Sequence, residues 1–176
     1  MYMYEFVDTN SVGNAKSIPS EALQIDGKYI ENLIDGYRTL YVSGRELLES
    51  EITDREIDGI GGSEYLDSRS VTRDITIGYQ MLCTSPAEFR EKFNRLSDVL
   101  NKEQAKLVFA DEPDKYFIGT KSSVGDIEPG RLSVKGEFTF YCCDPCKYST
   151  AEKQFPGIQQ NGYQTITIQN NGTEWA

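Results

Sequence analysis

The chain has 176 residues, enough for one domain and the start of a second, with 38% apolar and 26% charged residues, a composition ordinary for a folded globular protein. A net charge of −10 argues against a grip on nucleic acid and against adhesion to anionic membranes, because both need clustered Lys and Arg. No apolar run approaches the roughly 18 residues that cross a bilayer, and the first residues, MYMYEFVDTN, lack the basic region and apolar core of a secretory signal.

The charge is unevenly placed. Residues 1–60 hold 12 acids and 5 bases, and between positions 46 and 67 eight acids face one base, Arg55. Histidine is absent, which removes the usual general base, nucleophile activator and metal ligand together. Four cysteines remain, Cys83, Cys142, Cys143 and Cys146. A zinc site would need all of them, two adjacent in a strand-like run, against the paired spacing that structural sites favour. Reduced thiols are the default without a signal peptide, and a Cys142–Cys146 or Cys143–Cys146 disulfide stays open for an oxidising environment.

In chain order, the stretch to about Pro19 is polar and irregular. Leu23 and Ile25, then Asp26-Gly27 before Tyr29 and Ile30, predict a short hairpin, since Asp-Gly supplies the positive φ that its turn requires. Residues 37–48, YRTLYVSGRELL, predict a strand that ends at the Gly44-Arg45-Glu46 step. Residues 49–68 then set sparse Ile52, Ile57 and Ile60 among acids, with Gly59, Gly61 and Gly62 in the middle. The glycines weaken a helix there. The expectation is a long projecting loop or β-hairpin arm, or else a solvated mobile loop.

Residues 69–83 predict a strand, with Ile75, Ile77, Tyr79, Met81 and Cys83 on one face. A helix over about residues 86–101 follows. Ser85 is its N-cap, Pro86 its first residue, and Glu88 completes a capping box by reaching back to the cap. Phe89, Phe93, Leu96 and Leu100 form the apolar stripe, while Arg90, Glu91, Lys92, Arg95 and Asp98 cover the opposite side. Packing of this helix on a sheet is favoured over a partner-binding role. Leu107-Val108-Phe109 predicts a short strand, Asp111-Glu112-Pro113-Asp114 a tight acidic turn, and Tyr116-Phe117-Ile118 the return. Residues 122–130 read as a turn-rich loop. Residues 131–143 predict a strand with Leu132, Val134, Phe138, Phe140 and Cys142 on its core face, stopped by Asp144-Pro145. Residues 165–168, TITI, predict a strand, and Asn170-Asn171-Gly172 a turn.

The chemistry-bearing patterns fail one by one. The acidic turn has Pro113 inside it and no Glu at the twelfth position, so it is no calcium loop. Gly59-Ile60-Gly61-Gly62 lacks the Lys-Ser/Thr of a phosphate loop. No nucleophile has a base, so a hydrolase is disfavoured and neither metal nor cofactor is expected. Binding or assembly remains. A carbohydrate-binding β-sandwich used in host attachment is the alternative, weakened because its aromatic platform would fall to Trp175, the one Trp.

The chain resembles the distal tail protein family of long-tailed, non-contractile phages. The resemblance rests on Tyr41-Val42-Ser43-Gly44-Arg45-Glu46, the arginine-led strand at Arg73, the helix at 86–100, Leu107-Val108-Phe109 with Asp111, Glu112, Pro113, Asp114 and Tyr116, and Cys143-Asp144-Pro145. Their order and spacing match together across about residues 20–148. Cys146 departs from the aromatic that commonly follows the Asp-Pro. The resemblance implies a mainly β (α+β) fold, an antiparallel β-sandwich with one flanking α-helix and a projecting arm, related to the phage tail-tube fold. It implies a domain over 1–150, with 151–176 as linker and first strand of a truncated, galectin-like second domain. It also implies a self-assembled hexameric ring between tail tube protein and tail tip, bearing baseplate or receptor-binding proteins; the acidic charge of the chain fits a lumen through which DNA passes unbound, since like charges repel. Such a protein resides in the virion tail and is assembled in the bacterial host cytoplasm. The candidate ring-interface or lumen residues are Glu49, Glu51, Ile52, Asp54, Glu56, Ile57, Asp58, Ile60, Glu64 and Tyr65.

Overall fold

The computed structural model describes residues 18–59, 61–128, 130–152, 158–160 and 163–169. The elements are β1 Leu23–Ile25, β2 Lys28–Tyr29, α1 Ile30–Leu33, β3 Tyr37–Ser43, β4 Ser50–Glu56, β5 Ser63–Ser70, β6 Arg73–Leu82, α2 Pro86–Leu100, β7 Ala105–Phe109, β8 Glu112–Val124, β9 Ser133–Cys142, β10 Tyr148–Ser149, β11 Ile158–Gln160 and β12 Tyr163–Thr165.

One antiparallel path runs β2-β1-β7-β8-β9-β6-β3. Its hinge is β8, which is 13 residues long. The first part of β8 pairs with β7 as far as Gly119, and the part from Thr120 onward pairs with β9. The sheet therefore folds over at β8, and its two halves close on one core, as in a sandwich. Leu23, Ile25, Leu107, Phe109 and Phe117 come from one half; Ile75, Ile77, Tyr79, Phe138 and Phe140 come from the other. Tyr79 stacks on Tyr37 at 5.5 Å, and Phe138 meets Phe140 edge to face at 5.9 Å. Both geometries are favourable for aromatic quadrupoles.

Local chemistry explains most elements. Asp26 and Gly27 take φ of 50° and 77° at the first hairpin, the paired positive values that its tight turn demands. In β9 the burial alternates from Ser133 to Cys142, while Leu132 stands before the strand and is 38% exposed. Helix α2 starts where expected, with the Glu88 N–H donating to Ser85 Oγ at 3.2 Å. The reciprocal bond differs from a simple capping box. The Glu88 carboxylate accepts from the Thr84 N–H at 2.6 Å, one residue before the cap. Glu88 also pairs with Lys92 at 2.7 Å, and Lys92 donates to the Leu82 carbonyl at 2.8 Å. Lys92 therefore ties the helix to β6 instead of facing solvent. These bonds hold the Glu88 carboxyl down at about 2, chiefly through Lys92 and then Thr84.

Four expectations are corrected. Arg69 belongs to β5, so the core strand begins at Arg73. The acidic turn is tighter than the motif suggests: Phe109 pairs with Glu112, leaving Ala110 and Asp111 as the loop. Glu112, Pro113 and Asp114 lie in β8, where an irregularity in register opposite Val108 accommodates a proline that cannot donate. Likewise β8 continues through Ser122 to Val124, shortening the predicted loop. The TITI strand is displaced, since β12 ends at Thr165 and Ile166 and Ile168 are exposed. A run of alternating residues makes a strand only where its backbone finds a partner edge, and the pairing with β11 ends at Thr165, opposite Ile158. The turn at residues 170–172 lies outside the described residues. The single turn α1 had no counterpart in the sequence reading.

Candidate functional site

Two groups of predicted residues occupy different surroundings. The first is the arm. Strands β4 and β5 pair with each other from Ser50↔Ser70 to Glu56↔Ser63, with a register irregularity between Thr53 and Asp54. Every residue of both strands is exposed. Glu49 stands at the base, its carbonyl accepting from the Val71 N–H at 3.4 Å. Glu51, Ile52, Asp54 and Glu56 lie on β4, Ile57 and Asp58 at the tip, and Glu64 and Tyr65 on β5; Ile60 lies outside the described residues. Cross-strand charges tie the hairpin: Arg69 to Glu51 at 2.5 Å and Arg55 to Glu64. Ser63 donates to Asp54, and Tyr65 donates to Ser68 at 2.9 Å. Ile52 and Tyr65 are 63% and 62% exposed, and Leu66 is 51% exposed.

The second group converges. Gly44, Arg45, Asp111, Glu112, Pro113, Asp114, Tyr116, Cys143, Asp144 and Pro145 are scattered in sequence, yet most meet around the β7–β8 hairpin. Gly44 takes a φ of +87°, and a Cβ there would sit 2.0 Å from the Asp74 carbonyl oxygen. Only glycine combines that φ with so close a backbone approach. It turns the chain out of β3 and brings Arg45 inward. The Arg45 guanidinium forks onto Asp111 at 2.8 and 2.7 Å and lies 4.3 Å from the Phe109 ring centre. Arg45 is only 8% exposed. Burial opposes its charge, but the Asp111 bonds outweigh burial and raise its pKa. Glu21 stands 3.5 Å away as a second acid.

Arg73 works beside it. Its Nη1 donates to the Gly44 carbonyl at 2.6 Å and its Nε to the Pro145 carbonyl at 3.1 Å, over the Phe117 ring at 5.3 Å. One side chain thus joins the root of the arm to the segment leaving β9. That segment is fastened again beyond Pro145. Asp144 accepts from the Cys146 N–H at 2.9 Å and from the Tyr148 hydroxyl. The Tyr148 bond, then the Cys146 bond, lower the Asp144 pKa, and the same contact pushes Tyr148 up to about 12. Strand β10 pairs Tyr148 with Tyr116, whose rings stack at 5.5 Å. Glu112 accepts from Lys115 at 2.8 Å and from Lys147 at 2.7 Å; burial works against its charge, and the two lysines outweigh it and lower its pKa. The Thr150 N–H donates to the Asp114 carbonyl at 2.8 Å.

Cys143 is exposed and makes no disulfide among the described residues. Burial pushes the Cys142 thiol up to about 11, against the pull of Arg73. Sequence reasoning missed Glu21, Lys147 and Tyr148. The pairing of Tyr116 with Tyr148 carried no local signal, because it depends on a register that long-range folding sets.

Comparison with known proteins adds to this geometry. A family model described as the phage tail protein RIFT-related domain matches residues 23–142. Among solved structures, the chain matches the Dit protein (gp 19.1) of SPP1, described as a paradigm of the hub adsorption apparatus in phages infecting Gram-positive bacteria. That match has a TM-score of 0.64 at 21% identity and covers 78% of this chain and 53% of the other. The chain therefore spans about half the length of that protein, and the likeness is one of fold. No curated protein matches.

Proposed function

The chain belongs to the family of phage tail proteins whose RIFT-related domain matches residues 23–142, and from that premise we propose that it is a siphophage distal tail protein that forms a hexameric ring at the distal end of a tail tube. The ring joins the tube protein to the tail tip and carries baseplate or receptor-binding proteins. The role is structural rather than catalytic, and its place is the virion tail, after assembly in the host cytoplasm. Residues 151–176 lead, in this reading, into a second galectin-like unit; in support, β11 and β12 pair with each other.

The observation that carries the proposal is the arm. A two-stranded hairpin is marginal in water by itself, yet β4 and β5 project with every residue exposed. A ring of identical subunits uses heterologous interfaces that close by rotation, and an arm is suited to span one. Glu49, Glu51, Ile52, Asp54, Glu56, Ile57, Asp58, Ile60, Glu64 and Tyr65 would then meet a neighbour or face the lumen. Acidic side chains on a lumen repel DNA and let it pass without sticking.

Deleting residues 52–64 and measuring mass by light scattering tests this reading. Loss of the ring with the core still folded is the expected result. A ring of unchanged mass would sink the assembly role of the arm, and a native chain monomeric at all concentrations would sink the ring.

A further inference from the structure

Among the described residues, strand β3 ends the main sheet and has no neighbouring strand on one of its sides. A bare edge of this kind is a template for pairing with another chain. Here three N–H groups of β3 turn to partners outside β6. Tyr37 donates to the Ile34 carbonyl at 3.3 Å, Thr39 to Glu31 Oε1 at 3.0 Å, and Val42 to Glu21 Oε2 at 3.2 Å. A register shift between Thr39 and Tyr41 moves the outward position from odd to even numbers. The second carboxylate follows that shift and meets Val42. Both carboxylates have a further hold. Glu31 sits in α1 and also accepts from the Thr39 hydroxyl at 2.7 Å. Glu21 is held by Arg45 at 3.5 Å. Thr39 and Val42 are left 1% and 7% exposed.

We infer that Glu21 and Glu31 close the β3 edge against strand addition by a second copy of this chain, so that copies meet through other surfaces. Hydrogen bonds from backbone N–H groups to carboxylates are stronger than the neutral bonds an incoming strand could offer. A second strand would have to displace both acids and leave them facing a backbone. A protein whose copies are crowded together has need of such a closure, since edge pairing does not stop at a closed ring. The inference stands whether or not the arm closes a ring.

The test uses the full chain with Glu31→Ala, the double variant Glu21→Ala/Glu31→Ala, and Glu31→Gln. Backbone hydrogen exchange is read at Thr39 and Val42, and sedimentation is followed against concentration. Glu31→Ala is expected to speed exchange at Thr39 by about tenfold, with Ile77 and Phe138 unchanged. The double variant is expected to form species heavier than the native ones, in which protection returns at Thr39 and Val42. Glu31→Gln, which keeps an acceptor, is expected to sediment as the native chain does. Unchanged exchange at Thr39 in Glu31→Ala would overturn the inference. So would a double variant that sediments like the native chain, or one that associates while both amides stay unprotected. Should the double variant not fold, the exchange result for Glu31→Ala decides, because that change touches no arginine.

Discussion

The arm and the arginine clasp carry similar side chains in opposite surroundings. In the arm, Arg69 pairs with Glu51 while the two side chains remain 77% and 53% exposed. In the clasp, Arg45 pairs with Asp111 while its own side chain is 9% exposed. Water screens the first pair and is mostly excluded from the second, so the same chemistry differs in worth. Charge in the clasp locates backbone: Gly44, Pro145 and the β7–β8 turn are fixed by two guanidiniums. Charge in the arm leaves a surface that is soluble when free and patterned for contact. The clasp therefore serves the fold, and the proposed assembly role falls to the arm.

The largest effect that separates the two regions should come from Asp111→Ala. It leaves a buried guanidinium without its bidentate partner, with Glu21 as distant compensation. A loss of about 2–3 kcal/mol is expected in urea unfolding. A loss under about 0.5 kcal/mol would mean that the clasp is as screened as the arm.

A smaller effect, and one that depends on pH, belongs to Glu88. Its carboxyl titrates at about 2 in the folded chain, against an ordinary 4.5. A lowered pKa means stabilisation that is complete above about 4.5 and disappears as pH falls toward 2. Glu88→Gln should flatten the acid limb of the stability profile in that window and leave the region above pH 5 shifted without a slope change, as followed by far-ultraviolet circular dichroism. An unaltered acid limb would assign the low-pH loss to other carboxylates.

Much of the fold was legible because its signals are local. Alternation fixed the core faces of β6 and β9. Ser85, Pro86 and Glu88 fixed the start of α2, and Asp26-Gly27 fixed the first hairpin. Glycines among acids marked the arm, although the choice between loop and hairpin lay beyond them. The clasp was legible only as a set of recurring residues, without its contacts. Arg45 and Asp111 are 66 residues apart, and Arg73 and Pro145 are 72 apart; nothing in either neighbourhood specifies the other. The β3 edge was hidden for the same reason, since an N–H–carboxylate bond across 21 residues, as from Val42 to Glu21, follows from how the chain is folded back. At Thr165 the reading failed in the other direction. The alternation of TITI predicts a strand, but strand character needs a partner edge as well as a period, and β12 finds one only as far as the residue opposite Ile158.

The smallest effect on the folded chain is expected from breaking the arm's own ion pair. Arg69→Ala removes the partner of Glu51 on two largely solvated side chains. Such pairs contribute about 0.2–1 kcal/mol at most, and less in added salt. The thermal midpoint of the domain should move by no more than about two degrees, because β4 and β5 pair with each other outside the main sheet and add little to the core. Assembly should respond differently. If the arm lies against a neighbour, the pair is buried there, water no longer screens it, and loss of one partner leaves Glu51 unpaired at the contact. The same substitution should then weaken association by tenfold or more, about 1.4 kcal/mol, when dissociation is followed by light scattering on dilution. Equal insensitivity of midpoint and association would place residues 51 and 69 away from any contact between subunits. A midpoint drop of several degrees would instead show that the arm is packed against its own domain, and the contrast between the two regions would fail.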